Sequence, residues 1–120
     1  MTLHSIRIRG DSFVDEHGRT LMLRGVNLGG SSKVPFTPNG ATHLLDGFTA
    51  HREVSFIGRP FPLAQAEEHF SRLRSWGMNV LRFLVTWEAL EHTGPGVFDD
   101  EYIDYVHRSE ERRVGKECAL

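Results

Sequence analysis

Cysteine is almost absent from this sequence, and it has neither a long apolar run nor a marked excess of one charge sign. The single cysteine, Cys118, excludes an internal disulfide framework. The seven histidines include no pair at the spacing that places two metal ligands on one helix face, so we predict no metal and no cofactor. No apolar run approaches the roughly 20 residues that a membrane-spanning helix requires.

Charge is nearly balanced, with 14 Lys and Arg against 16 Asp and Glu and a formal net charge of -2. The basic residues form no stripe of the kind that follows a phosphate backbone, so nucleic acid is not a predicted partner. Residues 1–7 lack the basic and then apolar order of a secretory signal. We therefore expect no signal peptide.

Two β-favouring segments with a helix between them are the main structural signal. Residues 79–85 form a run interrupted only by Arg82, which is typical of a parallel strand covered on both faces. Residues 62–76 predict a helix, because apolar side chains recur there at intervals of three and four. Together with an earlier strand at residues 21–28, they predict a βαβ unit and an α/β fold class.

Shorter patterns precede the helix. Residues 5–9 and 12–14 predict a β-hairpin that would close the bottom of a barrel, and residues 15–18 predict a turn before a strand that begins at Thr20. Residues 29–61 are rich in Gly, Pro, Ser and Thr and have no sustained period. Loops this long are usually functional or disordered, and after the first strand of a barrel such a loop lies on the catalytic face.

Beyond the second strand, the sequence indicates two more helices. A short helix follows Thr86, and residues 94–96 form a break that contains glycine and proline. Asp99 then caps a helix, whose predicted apolar face consists of Tyr102, Ile103 and Val106.

Several short motifs around these strands share a family pattern. They include Leu-Arg-Gly-Val-Asn-Leu at residues 23–28 and Thr-Trp-Glu-Ala-Leu-Glu-His at residues 86–92, with further matches at residues 32–35, 54–57, 81–83 and 94–96. Up to His107 the chain resembles glycoside hydrolase family 5, in particular its fungal steryl-glucosidase and glucosylceramidase branch. The resemblance implies a (β/α)8 TIM barrel and retaining hydrolysis of a β-glucosidic bond to a sterol or ceramide. In that mechanism one carboxyl group protonates the leaving oxygen and a second, about 5 to 5.5 Å away, attacks the anomeric carbon.

Two substrate-binding residues are predicted at the second strand. Arg82 matches a family arginine that lies close to the nucleophile and holds it ionised, as a fixed guanidinium does for a neighbouring carboxylate. An arginine that pairs with a carboxylate only for packing is the alternative. Strand alternation puts Val80, Arg82 and Leu84 on one face. Trp87 follows the strand directly and would contact sugar or lipid, or else fill the core at the strand end.

No catalytic residue is assigned within this chain, because the family's two glutamates follow the fourth and seventh strands. Glu88 and Glu91 lie three apart on one element and are expected to form a solvated or locally paired helix face. The expected partner is a glycolipid or another β-glucoside, met at a membrane surface. The whole enzyme is expected to be cytoplasmic or associated with the vacuole, and its oligomeric state is not predicted.

Chain length and the final residues determine the domain assignment. A complete barrel needs about 250 residues, so residues 1–107 are interpreted as the N-terminal fragment of a catalytic domain, incomplete and inactive alone. Residues 108–118 resemble the in-frame translation of a sequencing-adapter oligonucleotide, so residues 108–120 are expected to be a non-native tail. Two alternatives stay open. One is a small non-catalytic α/β module that binds glycolipid or a partner through residues 29–61, and the other is a related barrel that cleaves ceramide glycans or cellulose.

Overall fold

The computed structural model describes residues 5–41, 43 and 51–114 of the chain. The predicted loop at residues 29–61 and the predicted tail at residues 108–120 therefore lie partly outside the described residues. The described elements, in chain order, are β1 (Arg7–Arg9), β2 (Ser12–Val14), β3 (Gly25–Leu28), α1 (Ala66–Ser75), β4 (Val80–Phe83), α2 (Trp87–Glu91) and α3 (Asp100–Val114), with single 3-10 turns at His51–Glu53 and Leu63–Gln65.

The N-terminal hairpin is confirmed. Strands β1 and β2 pair antiparallel, with Arg7 opposite Val14. The predicted turn follows at once, and its conformation is fixed by one side chain, since Asp15 Oδ1 accepts hydrogen bonds from the backbone N–H groups of His17 and Arg19 at 2.9 and 2.8 Å. Gly18 has a φ of 75°, a left-handed conformation that glycine adopts without strain.

The predicted βαβ unit is also confirmed, because β3 and β4 pair in parallel with α1 between them in sequence. The first strand begins later than predicted, at Gly25. Thr20 forms only an isolated bridge with Val14, and the Leu21 N–H donates to the Phe13 carbonyl. Residues 20 and 21 therefore extend the hairpin sheet, and the chain joins β4 only at Gly25.

The second strand is shorter than predicted at both ends. It begins at Val80 because Asn79 acts as a clamp through its side chain. The Arg24 N–H donates to Asn79 Oδ1 at 2.7 Å, and Asn79 Nδ2 donates to the Met22 carbonyl at 3.0 Å. The start of β4 is thereby tied to the chain that leads into β3.

The helix predicted at residues 62–76 begins with the 3-10 turn and continues as α1. It ends as the sequence indicates, at Gly77, whose φ is 83°. The N–H groups of Gly77 and Met78 donate to the carbonyls of Arg74 and Leu73, which would otherwise lack partners at the helix end.

Two apolar clusters form the core of the described residues. One lies between α1 and the parallel sheet and consists of Phe61, Ala66 and Phe70, with Leu28, Leu81 and Phe83 packed against it. The other lies between α2, α3 and the end of the long loop, and consists of Val54, Phe56, Ala89, Tyr102 and Tyr105. Leu63 packs against both clusters, so they are continuous through this side chain.

The buried face of α3 differs from the predicted one. Tyr102 is fully buried as expected, but Ile103 is only half-buried, whereas Tyr105 and Ser109 are buried. The serine was not predicted as a core residue because it lies in residues 108–120, which are predicted from the sequence to be a non-native tail. Its hydroxyl donates to the Tyr105 carbonyl one turn earlier, at 2.9 Å, so it needs no partner outside the helix.

The described part of the long loop is closed by a neck of backbone hydrogen bonds. The N–H groups of Phe36 and Thr37 both donate to the Ser55 carbonyl, and the Ser55 N–H donates to the Thr37 carbonyl at 2.7 Å. Thr37 and Ser55, which flank the intervening residues, therefore lie next to each other.

The architecture within the described residues is a small mixed α/β arrangement with two two-stranded sheets and no closed barrel. None of the helices in this part of the chain has the length and apolar character needed to cross a bilayer.

Candidate functional site

The face of the parallel sheet that points away from α1 carries polar side chains. The register aligns Asn27 of β3 with Arg82 of β4. Leu81 and Phe83 pack toward α1, so strand alternation directs Arg82 to the opposite face, where it is exposed. An open groove of about 320 Å³ runs along this pair of strands and is lined by Asn27 and Arg82. The sequence predicted Arg82 here but not its neighbour Asn27.

Glycines allow the two strands to approach closely beside this groove. A Cβ added at Gly25 would lie 1.8 Å from the Val80 carbonyl oxygen. At the other end of the strands, a Cβ added at Gly29 would lie 2.6 Å from Leu84 Cδ1, so the Leu84 side chain occupies the space that a larger residue at position 29 would need. Leu84 thus covers the backbone at the carboxyl end of β3.

Trp87 lies at the start of α2, four residues past the last strand residue. The Thr86 side chain caps this helix by accepting a hydrogen bond from the Ala89 N–H at 3.2 Å. The indole is 76 % exposed, so it is not part of the described core. Its Nε1 donates to Glu91 Oε2 at 2.5 Å. Glu91 is therefore a locally paired helix residue, as its spacing predicted.

A second polar contact lies just after α2 and was not predicted. His92 Nε2 is 2.8 Å from Asp99 Oδ2, and both side chains are largely buried. Asp99 Oδ1 accepts the Tyr102 N–H and so caps α3, as the sequence indicated, while the Asp99 N–H donates to the Leu90 carbonyl. We call this arrangement of His92 and Asp99 the α2–α3 clasp.

The clasp also reaches the long loop. His51 Nδ1 lies 3.1 Å from the His92 carbonyl oxygen, which satisfies a backbone acceptor at the end of α2. The only sequence signal for this set of contacts is a histidine and an aspartate on either side of a glycine and proline turn. Closure of that turn brings His92 and Asp99 together, and their separation of seven residues in the sequence does not predict the contact.

Tyr102 and Tyr105 lie behind the clasp with their rings stacked at 5.8 Å. Burial, together with the nearby Tyr105 and Asp99, raises the pKa of Tyr102 to about 12. Burial also raises the pKa of Tyr105, whose hydroxyl donates to the Phe61 carbonyl. Both phenols therefore remain protonated well into the alkaline range.

A larger cleft of about 630 Å³ lies between the loop and α3. Phe36, Ile57 and Leu63 provide apolar walls, and Asp100 and Asp104 provide an acidic edge. It is lined by no strand residue and so is separate from the groove beside Arg82. Within the described ranges, no group of three His, Cys, Asp or Glu side chains is arranged to hold a metal ion.

Comparison with known proteins identifies relatives of this chain. The glucosylceramidase of Rhizopus delemar is 52 % identical over 120 residues, which cover 96 % of this chain and 18 % of that enzyme. The chain is a homologue of the fungal glucosylceramidases and sterylglucosidases. The ergosteryl-beta-glucosidase of Saccharomyces cerevisiae is 43 % identical to this chain over 106 residues, which cover 84 % of this chain and 14 % of the yeast protein. No protein-family model matches the chain.

A solved structure agrees with the sequence relatives. A crystal structure of Cryptococcus neoformans sterylglucosidase 1 superposes on this chain with a TM-score of 0.81 and 40 % sequence identity. The superposition covers 94 % of this chain and 16 % of the sterylglucosidase chain. These matches confirm the family resemblance that the motifs predicted. The chain spans less than a fifth of the length of the curated relatives it matches.

Proposed function

We propose that this chain is part of a retaining β-glucosidase that hydrolyses glucosylated lipids such as glucosylceramide or a steryl glucoside. The observation that carries the proposal is the exposed Arg82 on the free face of a parallel strand pair, in a chain 52 % identical to a glucosylceramidase. In this proposal the enzyme is cytoplasmic or associated with the vacuole and meets its substrate at a membrane surface.

The proposed fold is the beginning of a (β/α)8 barrel. In it, β3 and β4 are the first two barrel strands, α1 and α3 belong to the outer helical layer, and the unpaired edge of β4 receives the third strand. Two observations support this assignment. The strands are parallel with a helical crossover, and α1 packs on the side of the sheet opposite Arg82, where Val106 of α3 also lines a cleft with Leu81 and Phe83. The free face of the sheet is then the inside of the barrel.

Arg82 has an electrostatic role in the proposed mechanism. A retaining glycosidase needs one ionised carboxylate as the nucleophile and one protonated carboxyl group as the acid. A guanidinium beside the nucleophile stabilises its charged form, and Arg82 has no hydrogen bond or ion pair within the described residues that would occupy it. Neither glutamate of that pair is assigned to this chain, so the isolated chain is proposed to be inactive.

Trp87 has a binding role in the same proposal. Its indole is exposed beyond the carboxyl end of β4, the edge at which barrel enzymes bind their substrates. An aromatic face contacts the apolar face of a sugar or a lipid equally well. We assign it to a substrate subsite and not to the chemical step.

The proposal is tested in the full-length enzyme that contains this chain. We expect hydrolysis of glucosylceramide or ergosteryl glucoside, with release of glucose. We expect Arg82→Ala to lower kcat by about 100-fold or more, comparable to removal of one charge-stabilising group from an active site. Arg82→Lys should restore little of the lost kcat, because the compact ammonium group of lysine does not reproduce the planar guanidinium of arginine.

A matched control is available on α1. Arg72 is also exposed, but it is paired with Glu68 one turn earlier at 2.6 Å and lies on the helical layer. Arg72→Ala should leave kcat unchanged. Activity of Arg82→Ala near that of the unmodified enzyme would refute the assigned role.

We also propose that residues 108–120 are not native to this enzyme. The support is the resemblance of residues 108–118 to a translated adapter. The helical conformation of α3 up to Val114 agrees with either origin, because Arg and Glu are good helix formers in any sequence. A long sequencing read of the native transcript through the codon for His107 distinguishes them. Continuation into a third barrel strand supports the proposal, whereas a stop after Leu120 contradicts it.

A further inference from the structure

The exposed indole of Trp87 is held by one carboxylate. Trp87 and Glu91 lie one helical turn apart on α2, and Nε1 donates to Oε2 at 2.5 Å. The indole N–H is a donor only, and an ionised carboxylate is the strongest acceptor that a side chain offers. A tryptophan that is 76 % exposed would otherwise be free to change rotamer, so this bond determines how the ring is presented.

Glu91 is itself in a fixed position. The preceding residue, Leu90, accepts the Asp99 N–H at 2.8 Å, and the following residue, His92, makes the α2–α3 clasp. Two residues earlier, Ala89 is fully buried in the core. The backbone on both sides of Glu91 is therefore anchored to α3, and the carboxylate can orient Trp87 without itself being displaced.

We propose that Glu91 is a positioning residue for substrate binding. It acts through Trp87, by holding the indole edge along the helix so that a ring face stays open toward the bound glycolipid. Glu91 does not contact the substrate or the reacting atoms. This inference rests on the proposed function of Trp87 as part of a substrate subsite.

The test is a double-mutant cycle in the full-length enzyme, with steady-state hydrolysis of glucosylceramide as the readout. Glu91→Ala should raise KM about three- to tenfold and leave kcat within about twofold, because a hydrogen bond that orients a binding group affects ground-state binding. Trp87→Phe, which lacks the N–H donor, should raise KM by a similar factor. Glu91→Gln keeps an oxygen acceptor and should restore most of the loss.

The decisive measurement is the KM of the double variant that combines Trp87→Phe with Glu91→Ala. If Glu91 acts only through the indole N–H, Glu91→Ala has no further effect in the Trp87→Phe background. Glu88→Ala is the matched control, since Glu88 is exposed on the same helix and should leave KM unchanged. Circular dichroism establishes that each variant keeps the folded structure.

The outcomes separate this inference from the function on which it rests. If Trp87→Ala leaves KM unchanged, the subsite assigned to Trp87 is wrong, and the positioning role is wrong with it. If Trp87→Ala raises KM but Glu91→Ala does not, or Glu91→Ala raises it equally when position 87 is Phe, only the positioning role is overturned.

Discussion

Gly25 shows how a single position constrains the groove beside Arg82. A Cβ at this position would meet the Val80 carbonyl oxygen at 1.8 Å, and a backbone atom in a paired strand cannot move aside as a flexible side chain does. The pairing of Gly25 with Val80 is followed two residues later by that of Asn27 with Arg82. Any displacement at the first pair is therefore transmitted to the second.

We expect Gly25→Ala to destabilise the full-length enzyme by about 1 to 3 kcal/mol, the usual cost of overpacking, and to lower its activity. Thermal unfolding followed by calorimetry measures the loss. Gly94→Ala is the matched control, because a Cβ added there meets nothing within 4 Å. Equal melting temperatures for the two variants would show that the strands can adjust to a side chain at position 25.

Tyr102 leads to a prediction about pH. Its hydroxyl is buried without a hydrogen-bond partner among the described residues, so Tyr102→Phe should be neutral or slightly stabilising at neutral pH. Burial raises its pKa from 10.0 to about 12, so the unfolded chain loses the phenolic proton first as pH rises. Stability that is fully present below pH 10 should therefore decline between pH 10 and about 12.

Urea unfolding of the full-length enzyme across that alkaline range checks this expectation, and Tyr102→Phe should make the decline shallower. Tyr105→Phe is the comparison, since it removes the hydrogen bond to the Phe61 carbonyl and should cost about 1 kcal/mol at neutral pH. An identical pH dependence with and without the Tyr102 hydroxyl would contradict the assignment.

At the scale of elements, the α2–α3 clasp compensates for the shortness of α2. A helix of five residues is not stable on its own, so its position depends on contacts at its ends. Asp99 provides two of these contacts, because its Oδ2 contacts His92 and its N–H donates to the Leu90 carbonyl, while its Oδ1 caps α3. Trp87 and Glu91 are therefore placed by a residue outside their own helix.

We expect Asp99→Ala to destabilise the full-length enzyme by about 1 to 2 kcal/mol, the cost of a lost helix cap with some addition from the unpaired histidine. Asp99→Asn keeps a capping oxygen and should lose less. Melting temperatures of the two variants give the comparison. If Asp99→Ala and Asp99→Asn lower the melting temperature equally, the cap contributes little and the histidine contact accounts for the effect.

The sequence predicted elements better than it predicted their ends and their polar contacts. The helix at residues 62–76 was predictable because its period, its opening proline and Gly77 agree. The start of β3 was not, because residues 20 and 21 are equally suited to the hairpin sheet, and only the fold decides which strand they join. The pairing of His92 with Asp99 depends on closure of a turn, which no local pattern encodes.

At the scale of the whole molecule, the described residues leave many large apolar side chains exposed. Nine apolar residues are buried among them, whereas eleven large apolar side chains are exposed. The outer edge of β4 has no partner strand in this part of the chain, and exposed edges favour aggregation.

We therefore expect the isolated chain to be poorly stable, to aggregate and to lack glucosidase activity. Purification followed by a thermal melt and size-exclusion chromatography measures this. A monomer that unfolds in one sharp transition would contradict it, and glycolipid binding by such a monomer would favour the non-catalytic binding module.

The neck formed by Phe36, Thr37 and Ser55 has a consequence for the divergence of this family. Phe36 and Thr37 on one side of the neck are hydrogen-bonded to Ser55 on the other, so the neck does not depend on how many residues lie between Gly40 and His51. Doubling a loop costs only about 0.6 kcal/mol in closure entropy. Insertions between Gly40 and His51 are therefore expected to be nearly neutral for stability, whereas changes at residues 51–54 would disturb the core that Val54 joins.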